Sequence, residues 1–104
     1  MDALAALADP TRRRIVELLA DGELEAGAIA DHFPTSRPGV SRHLRVLREG
    51  GLVRARSDAQ RRIYSLDAAP LAELDAWLAR YRSFWTNRLD ALDVEVRRGR
   101  KEKR

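Results

Sequence analysis

The sequence of 104 residues contains no cysteine, and histidine occurs only at His32 and His43. The absence of cysteine excludes disulfides, thiolate nucleophiles and thiolate metal ligands, and it suits a reducing compartment. No segment approaches the roughly 18 consecutive apolar residues of a membrane helix. The apolar part of the start, MDALAALADPTRRR, is too short for a signal peptide. We therefore expect a soluble, cytoplasmic protein without redox chemistry and without a membrane partner.

Recognised catalytic arrangements are also missing from the sequence. It offers no Ser/His/Asp or Cys/His arrangement and no glycine-rich phosphate loop. A chain of this length is expected to form one domain, and neither an internal repeat nor an interdomain linker is visible. We therefore expect neither enzymatic activity nor a bound cofactor.

Positive charge is concentrated in the middle third of the chain. The 20 basic and 16 acidic residues give a net charge of +4, but residues 34–66 hold eight arginines against two acids, a local charge of +6. A cationic block of this kind on a small domain is typical of phosphate binding. A compositional bias is the alternative, because 18 of the 20 basic residues are arginine.

The first part of the chain shows the apolar spacing of helices. After a short apolar stripe near the N-terminus, Asp9 and Pro10 form a helix N-cap with proline in the first turn. A second helix is therefore predicted over residues 10–20. A third and shorter amphipathic helix is predicted within LEAGAIADHF, residues 24–33.

A fourth helix carries four of the arginines. Ser36 is its predicted N-cap, and the helix runs to Arg48 or Glu49, where Gly50 and Gly51 end it. Three apolar residues share one face of this helix: Val40, Leu44 and Leu47. The opposite face is polar and cationic, so one side is expected in the core and the other on the surface.

After this helix the period changes to that of strands. Residues 52–66 predict a two-stranded hairpin around the polar turn SDAQ, with arginines near its tip. From residue 67 to residue 96 the spacing of three and four returns and predicts one long helix. The final segment RRGRKEKR, residues 97–104, has nothing to bury and is predicted to be a disordered basic tail.

This order of elements predicts a mainly α fold with a small β-hairpin, the winged helix-turn-helix, built from five helices and a two-stranded wing. Residues 1–96 would form a single DNA-binding and dimerisation domain. Within it, residues 36–49 would be the recognition helix, residues 52–66 the wing and residues 67–96 the dimerisation helix.

The recognition helix would place its cationic face in the DNA major groove, where arginine can donate two hydrogen bonds to guanine. The predicted contacts from this helix are Ser36, Arg37, Pro38, Gly39, Ser41, Arg42, His43 and Arg45. Wing arginines are predicted to touch the DNA backbone or minor groove: Arg54, Arg56, Arg61 and Arg62. The alternatives are a solvated helix face, a charged strand edge that discourages aggregation and, for His43, a packing role.

The long last helix carries more apolar surface than a small domain is expected to bury. One side of it is therefore predicted to pack on a second copy of the chain. The predicted dimer contacts are Leu4, Leu7, Leu74, Leu78, Tyr81, Trp85, Leu89 and Leu92. Such a homodimer would hold two recognition helices about 34 Å apart, one turn of DNA. The alternatives are packing within the chain, or a protein co-regulator that docks on this face.

Four segments together resemble a known family. They are LADPTRRRIVELLADGEL, IADHF, SRPGVSRHLRVLREGGLVR and RRIYSL, and over about residues 3–95 the chain is similar to the ArsR/SmtB group of dimeric bacterial winged-helix transcriptional regulators. The resemblance implies a homodimer that binds a near-palindromic operator in double-stranded DNA and usually represses transcription.

The chain departs from the metal-sensing members of that family. Those members carry a cysteine pair after Glu-Leu in the third helix, whereas the matching run here is Glu23-Leu24-Glu25-Ala26-Gly27. The family's other metal site uses histidines and acids on the last helix, but no histidine follows His43. We therefore expect no metal, with an atypical site at His32 and Asp31 or Glu25 as the weaker alternative.

Three further departures concern local shape. Pro34 stands where the family usually has glycine in the turn, Gly39 replaces a residue that commonly bears a hydroxyl, and Ala59 stands where the wing often has glycine. These changes are expected to affect detailed contacts and the shape of the wing, but not the fold.

Overall fold

The computed structural model describes residues 2–86, 88, 92–93 and 96. The chain divides into two compact units, Met1–Leu74 and Asp75–Arg104. The helices and strands are, in chain order, α1 (Asp2–Ala6), α2 (Pro10–Ala20), β1 (Leu24–Glu25), α3 (Ala26–Ala30), α4 (Arg37–Glu49), β2 (Val53–Asp58), β3 (Arg61–Leu66) and α5 (Ala69–Ala79). The predicted winged helix-turn-helix, mainly helical with a β-hairpin wing, is confirmed.

The cap of α2 forms as predicted. The Asp9 carboxylate accepts a hydrogen bond from the backbone N–H of Arg12 at 3.0 Å, and Pro10 takes the first helical position. This bond satisfies one of the N–H groups that a helix start leaves without a partner. The structure confirms the predicted bounds of this helix, residues 10–20. Its start could be predicted because the cap depends only on residues close together in the sequence.

The sheet has one strand more than the predicted two-stranded wing. β3 lies between β2 and β1, and both pairings are antiparallel. In β1, Leu24 pairs with Tyr64 and Glu25 pairs with Ile63. This pairing holds the start of LEAGAIADHF in an extended conformation, so α3 begins only at Ala26 and is shorter than predicted.

α4 is the central helix of the first unit. The Ser36 hydroxyl accepts from the Gly39 N–H at 3.4 Å, which confirms the predicted cap. At the other end Gly51 adopts a φ of +77°, a left-handed conformation that favours glycine and turns the chain toward β2. The predicted inner face is buried, with Val40, Leu44 and Leu47 all in the core.

The prediction of a single helix over residues 67–96 is wrong. α5 ends at Ala79, residues 80–81 form a turn, and residues 82–86 are again helical. At the break the Arg80 N–H donates to the Trp77 carbonyl at 3.3 Å and the Tyr81 N–H to the Leu78 carbonyl at 2.9 Å. These bonds span three residues rather than four, so the last turn tightens and the regular helix stops.

Two predictions fall outside the described residues, namely the dimer contact Leu89 and the tail at residues 97–104. Across residues 2–86 and the four isolated positions after them, no helix is long and apolar enough to cross a membrane.

Candidate nucleic-acid interface

The exposed face of α4 carries a row of arginines. Arg42, Arg45 and Arg48 follow one another at intervals of three residues, which places them on one side of the helix, and all three are exposed. No described carboxylate lies within ion-pair distance of any of them. The row is therefore positive charge that an anionic partner can reach.

This row forms one wall of a concave surface between α4 and the sheet, and the concavity has a volume of about 570 Å³. The surface is lined by Ala26, Pro38, Ser41, Arg42, Arg45, Arg48, Arg62 and Tyr64. It brings five residues of the predicted contact set together: Pro38, Ser41, Arg42, Arg45 and Arg62. Four guanidinium groups around one open concavity can donate many hydrogen bonds to phosphate oxygens or base edges and accept none.

Sequence reasoning missed three residues of this surface. Arg48 continues the three-residue interval of Arg42 and Arg45, a signal that was present in the sequence. Tyr64 and Ala26 come from the sheet and from α3, and only the pairing of the sheet brings them to this surface.

The pleat of the hairpin separates the four wing arginines into two groups. Residues that pair across antiparallel strands share a face, and neighbours along a strand point to opposite faces. Arg62 pairs with Ser57 and lies on the same face as Tyr64. The other three lie on the opposite face, where Arg54 pairs with Ser65, Arg56 with Ile63 and Arg61 with Asp58.

The three arginines on that opposite face are paired with acids. Arg54 Nε lies 2.9 Å from Asp67 Oδ2, and Arg56 Nε lies 3.2 Å from Glu23 Oε2. Arg61 lies 3.2 Å from Asp58 and 3.7 Å from Glu25. Exposed ion pairs add little stability, but each carboxylate partly cancels the charge of its arginine.

The groups that donate to the Asp67 carboxylate also change its pKa. The backbone N–H of Ala69 and the side chain of Arg54 both donate to it, and they lower the pKa of Asp67 below its ordinary value. Arg54 therefore belongs to a network at the base of the wing.

Arg62 has a different environment. Its guanidinium carbon lies 5.8 Å from the centroid of the Tyr64 ring, within the range of a cation–π interaction. Tyr64 is 6% exposed and belongs to the core, so it gives Arg62 a fixed platform. Arg62 is thus the one wing arginine without an acidic partner among the described residues.

His43 does not line the concave surface. Its side chain is 25% exposed, and its Nδ1 atom lies 3.8 Å from Asp9 Oδ2 and 3.4 Å from an Nη atom of Arg12. The backbone N–H of Arg12 donates to the Asp9 carboxylate and lowers its pKa. Of the two alternatives for His43, the structure supports packing against α2.

The start of α4 holds the remaining predicted contacts. Ser36 uses its hydroxyl as the helix cap, and a Cβ built on Gly39 would make ordinary contacts with this hydroxyl at 3.5 Å and with the Thr35 Cβ at 3.9 Å. Arg37 lines a separate cleft of about 230 Å³ between α3 and α4, together with Ala26, Gly27, Ala30, Val40, Ser41 and Leu44. The chain therefore leaves the helix start open.

The second unit presents an apolar, aromatic face. Among its described residues, the exposed large apolar side chains are Trp77, Leu78, Tyr81, Phe84, Trp85, Leu92 and Val96. The rings of Trp77 and Tyr81 meet edge to face at a centroid distance of 5.2 Å, and Phe84 is 70% exposed. The neighbouring rings of Trp77, Tyr81 and Phe84 form an exposed apolar cluster of the kind typical of an interaction surface.

Two predicted dimer contacts belong to the first unit's own core. Leu74 is 7% exposed within the core cluster, and Leu7 is half-buried against it. Leu74 stays a predicted partner contact, although its side chain already packs in the core of its own chain. Leu4, at 48% exposure, stays available.

The atypical metal site suggested for His32 gains no support from the described residues. They contain no group of three or more histidine, aspartate or glutamate side chains placed to hold a metal ion.

Comparison with known proteins places these features in a family. A sequence model described as a helix-turn-helix domain matches residues 7–56. An HTH-type transcriptional regulator of Mycobacterium tuberculosis is 51% identical over 87 residues, which cover 84% of this chain and 78% of the relative. The transcriptional repressor SdpR of Bacillus subtilis is 37% identical over 76 residues, covering 73% of this chain and 84% of that protein.

The fold matches as well. A crystal structure of an ArsR family transcriptional regulator superposes with a TM-score of 0.76 and 28% identity, and the match covers 82% of this chain and 93% of the other.

Proposed function

The chain belongs to the ArsR/SmtB family of winged helix-turn-helix transcriptional regulators, and we propose that it represses transcription as a homodimer bound to a near-palindromic operator. It is a DNA-binding regulator and not an enzyme. We propose further that it acts in the cytoplasm, where it meets chromosomal DNA. The observation that supports the DNA-contact surface is the set of arginines around the concavity between α4 and β3, none of which has a described acidic partner.

In this proposal α4 reads base edges. Its exposed face enters the major groove, where Arg42 and Arg45 donate to guanine O6 and N7. Ser41 and Pro38 line the same surface and approach the neighbouring bases. The helix start, with the Ser36 hydroxyl and the N–H group of Arg37, lies close to a backbone phosphate.

The other two arginines of the concavity bind the DNA backbone. Arg48 lies at the C-terminal end of α4 and Arg62 on the facing strand. A DNA sugar–phosphate backbone that runs along the concave surface can therefore be bound between them. Arg54, Arg56 and Arg61 contribute less, because binding a phosphate requires each of them to give up its carboxylate partner. His43 acts inside the protein rather than at a base.

Dimerisation uses the apolar face of the second unit, and Leu4 stays a predicted contact of the first unit. A second copy that covers this face would remove its aromatic side chains from water, at about 25 cal/mol for each Å² of apolar surface. A two-fold dimer also provides the second recognition helix that a near-palindromic operator requires.

The test is the binding of the full chain to a duplex from the region upstream of its own gene, against a scrambled duplex, over a salt series with and without a chelator. If six to eight phosphates are neutralised per dimer, log affinity falls with log salt at a slope of roughly −5 to −7. Two protomers per site and preference for the native duplex, unaffected by the chelator, support the proposal. Equal, weak binding to both duplexes contradicts it.

A second candidate is a regulator whose signal arrives through a protein co-regulator. The exposed face of the second unit favours it, since Phe84 remains 70% exposed within one chain. Light scattering of the purified protein separates the two. A homodimer in which a hydrophobic dye finds no site argues against a co-regulator on this face, whereas a dye-binding monomer argues for one.

A further inference from the structure

Three consecutive arginines at the start of α2 differ in what they contact. Arg14 forms an exposed ion pair with Glu17 at 3.2 Å. Arg13 is exposed, and its side chain makes no hydrogen bond or ion pair with any described residue. Arg12 is half-buried and reaches two other helices. Composition treats the three as equal, but the structure gives only Arg12 a role inside the fold.

The guanidinium of Arg12 closes the end of α1. Its Nε donates to the Ala6 carbonyl at 2.6 Å, and one terminal nitrogen donates to the Ala5 carbonyl at 3.4 Å. The last carbonyls of a helix have no partner within that helix, and a cation placed there also interacts favourably with the negative end of the helix dipole. These two bonds hold the plane of the guanidinium group.

The second terminal nitrogen of Arg12 faces the recognition helix. It lies 3.4 Å from Nδ1 of His43, which follows Arg42 and precedes Arg45 by two residues. Arginine has only donors, so Nδ1 accepts this bond when the ring proton is on Nε2. The Asp9 carboxylate, 3.8 Å from the same nitrogen, is the other charged group beside the ring.

This contact bears on how α4 is rotated about its axis. The inner face of α4 packs through aliphatic side chains, and such contacts are not directional. The hydrogen bond to His43 is directional, and its donor is fixed by the α1 carbonyls. A small rotation of α4 would carry the arginine row out of register with base edges.

We propose that Arg12 is a positioning residue for DNA binding, which fixes the orientation of α4 through His43 without touching DNA itself. The proposal rests on the function proposed above. It assigns to one arginine outside the concave surface a role that its neighbours in the sequence do not share.

The first test compares R12Q with R13Q, which removes the same charge one residue away from an exposed position. Each variant is titrated on the duplex from the upstream region over a salt series, and its melting temperature is recorded. We expect R12Q to weaken binding about tenfold at every salt concentration, the scale of one lost hydrogen bond to a charged group. The slope of log affinity against log salt stays that of the parent, because no phosphate contact is lost. R13Q stays within about twofold of the parent, the range of a solvated surface charge.

Two results overturn the proposal. A shallower salt slope for R12Q would mean that Arg12 binds a phosphate directly. A lowered melting temperature with unchanged affinity of the folded protein would make its role structural only.

The second test approaches the contact from α4, so that it does not depend on how R12Q folds. H43N keeps an acceptor near the position of Nδ1, and H43L removes it. We expect H43N to bind DNA nearly as the parent does and H43L to match R12Q, with the double variant R12Q/H43L no weaker than either. Additive losses in the double variant would show that the two residues act separately and would overturn the proposal.

A spectroscopic measurement separates this inference from the proposed function. The ¹⁵N shifts of the His43 ring in the parent should show a protonated Nε2 and a bare Nδ1, and R12Q but not R13Q should change them. If this signature is present and the parent binds neither duplex, the proposed function fails and the positioning role with it. If the parent binds and R12Q matches it, only this inference fails.

Discussion

The helix α4 and the hairpin carry four arginines each, yet the two regions offer very different amounts of unpaired positive charge. On α4, the three arginines from Arg42 to Arg48 have no acidic partner in the described part of the chain, and they open onto one concave surface. On the hairpin, three of the four are paired with carboxylates, and only Arg62 joins that surface. The number of arginines in a segment therefore does not give the charge that it offers to a partner.

The cause is the geometry of the two elements. The 13 residues of α4 include one acid, Glu49, at its last position, so its arginines have few neighbours of opposite charge. The hairpin lies beside β1, which brings Glu23 and Glu25 next to its outer face. Strand pairing brings together charged residues that are far apart in the sequence, whereas neighbours on one helix face lie within a few residues of each other.

Arg45→Ala should produce the largest loss of affinity. A bidentate arginine–guanine contact is worth about 1–3 kcal/mol, so binding to the native duplex should weaken by about 10- to 100-fold per protomer contact. Binding to a scrambled duplex should change far less. Fluorescence anisotropy on both duplexes measures this, and equal losses on the two would place Arg45 on a phosphate instead.

Arg62→Ala and Arg56→Ala test the division within the wing. Both remove one arginine from the same strand pair, but only Arg62 lacks a described acidic partner. R62A should weaken binding to all duplexes about tenfold and make the salt slope shallower by about two per dimer. R56A should stay within about threefold of the parent, since its charge is already partly cancelled. Equal effects of the two variants would contradict the division.

Ala59→Gly should stabilise the protein without changing how it binds DNA. Ala59 lies in the two-residue loop of the hairpin with a φ of +56°, where glycine is preferred. Relief of this backbone strain should raise the free energy of unfolding by about 0.5–1 kcal/mol. Urea unfolding of A59G measures the gain. A loss of stability would mean that the extra freedom of glycine in the unfolded chain outweighs the relief.

The smallest effect concerns acid stability at the base of the wing. The Ala69 N–H and Arg54 lower the pKa of Asp67 below its ordinary value of 3.8. The charged carboxylate therefore stabilises the fold at pH values above 3.8, and this stabilisation is lost as the pH falls through the lower pKa of the folded protein. Urea midpoints measured between about pH 5 and pH 2 should therefore fall less steeply for D67N than for the parent. Parallel curves would show that the network adds nothing.

The parts of the fold that could be predicted are those with local signals. Asp9 and Ser36 cap α2 and α4 through side chains within three residues of the N–H groups that they accept. β1 could not be predicted, because two residues are too few to show a strand period and their partner, β3, comes much later in the chain. The break after Ala79 was missed because the apolar spacing continues across it.

The site follows the same rule. Arg42 and Arg45 could be placed on the outer face of α4 because the buried face of the same helix is apolar. Strand alternation could have shown that Arg61 and Arg62 lie on opposite faces, but it could not show which of them has acidic side chains within ion-pair distance. The contact of His43 with Arg12 joins distant segments and leaves no pattern in the sequence.

The ion pairs on the outer face of the wing have a consequence for the time that the protein spends on the wrong DNA. Every chromosome offers a vast excess of non-target sites, and attraction to them depends on free cations rather than on base edges. Because Glu23 and Glu25 lie beside Arg56 and Arg61, we expect the wing to attract random DNA less strongly and to release it sooner. Replacing Glu23 by Gln would leave Arg56 without its acidic partner, whereas Arg61 would keep Asp58 if Glu25 were replaced. In the Glu23 variant we expect the search for the operator to slow, although the contacts of α4 with the operator stay in place.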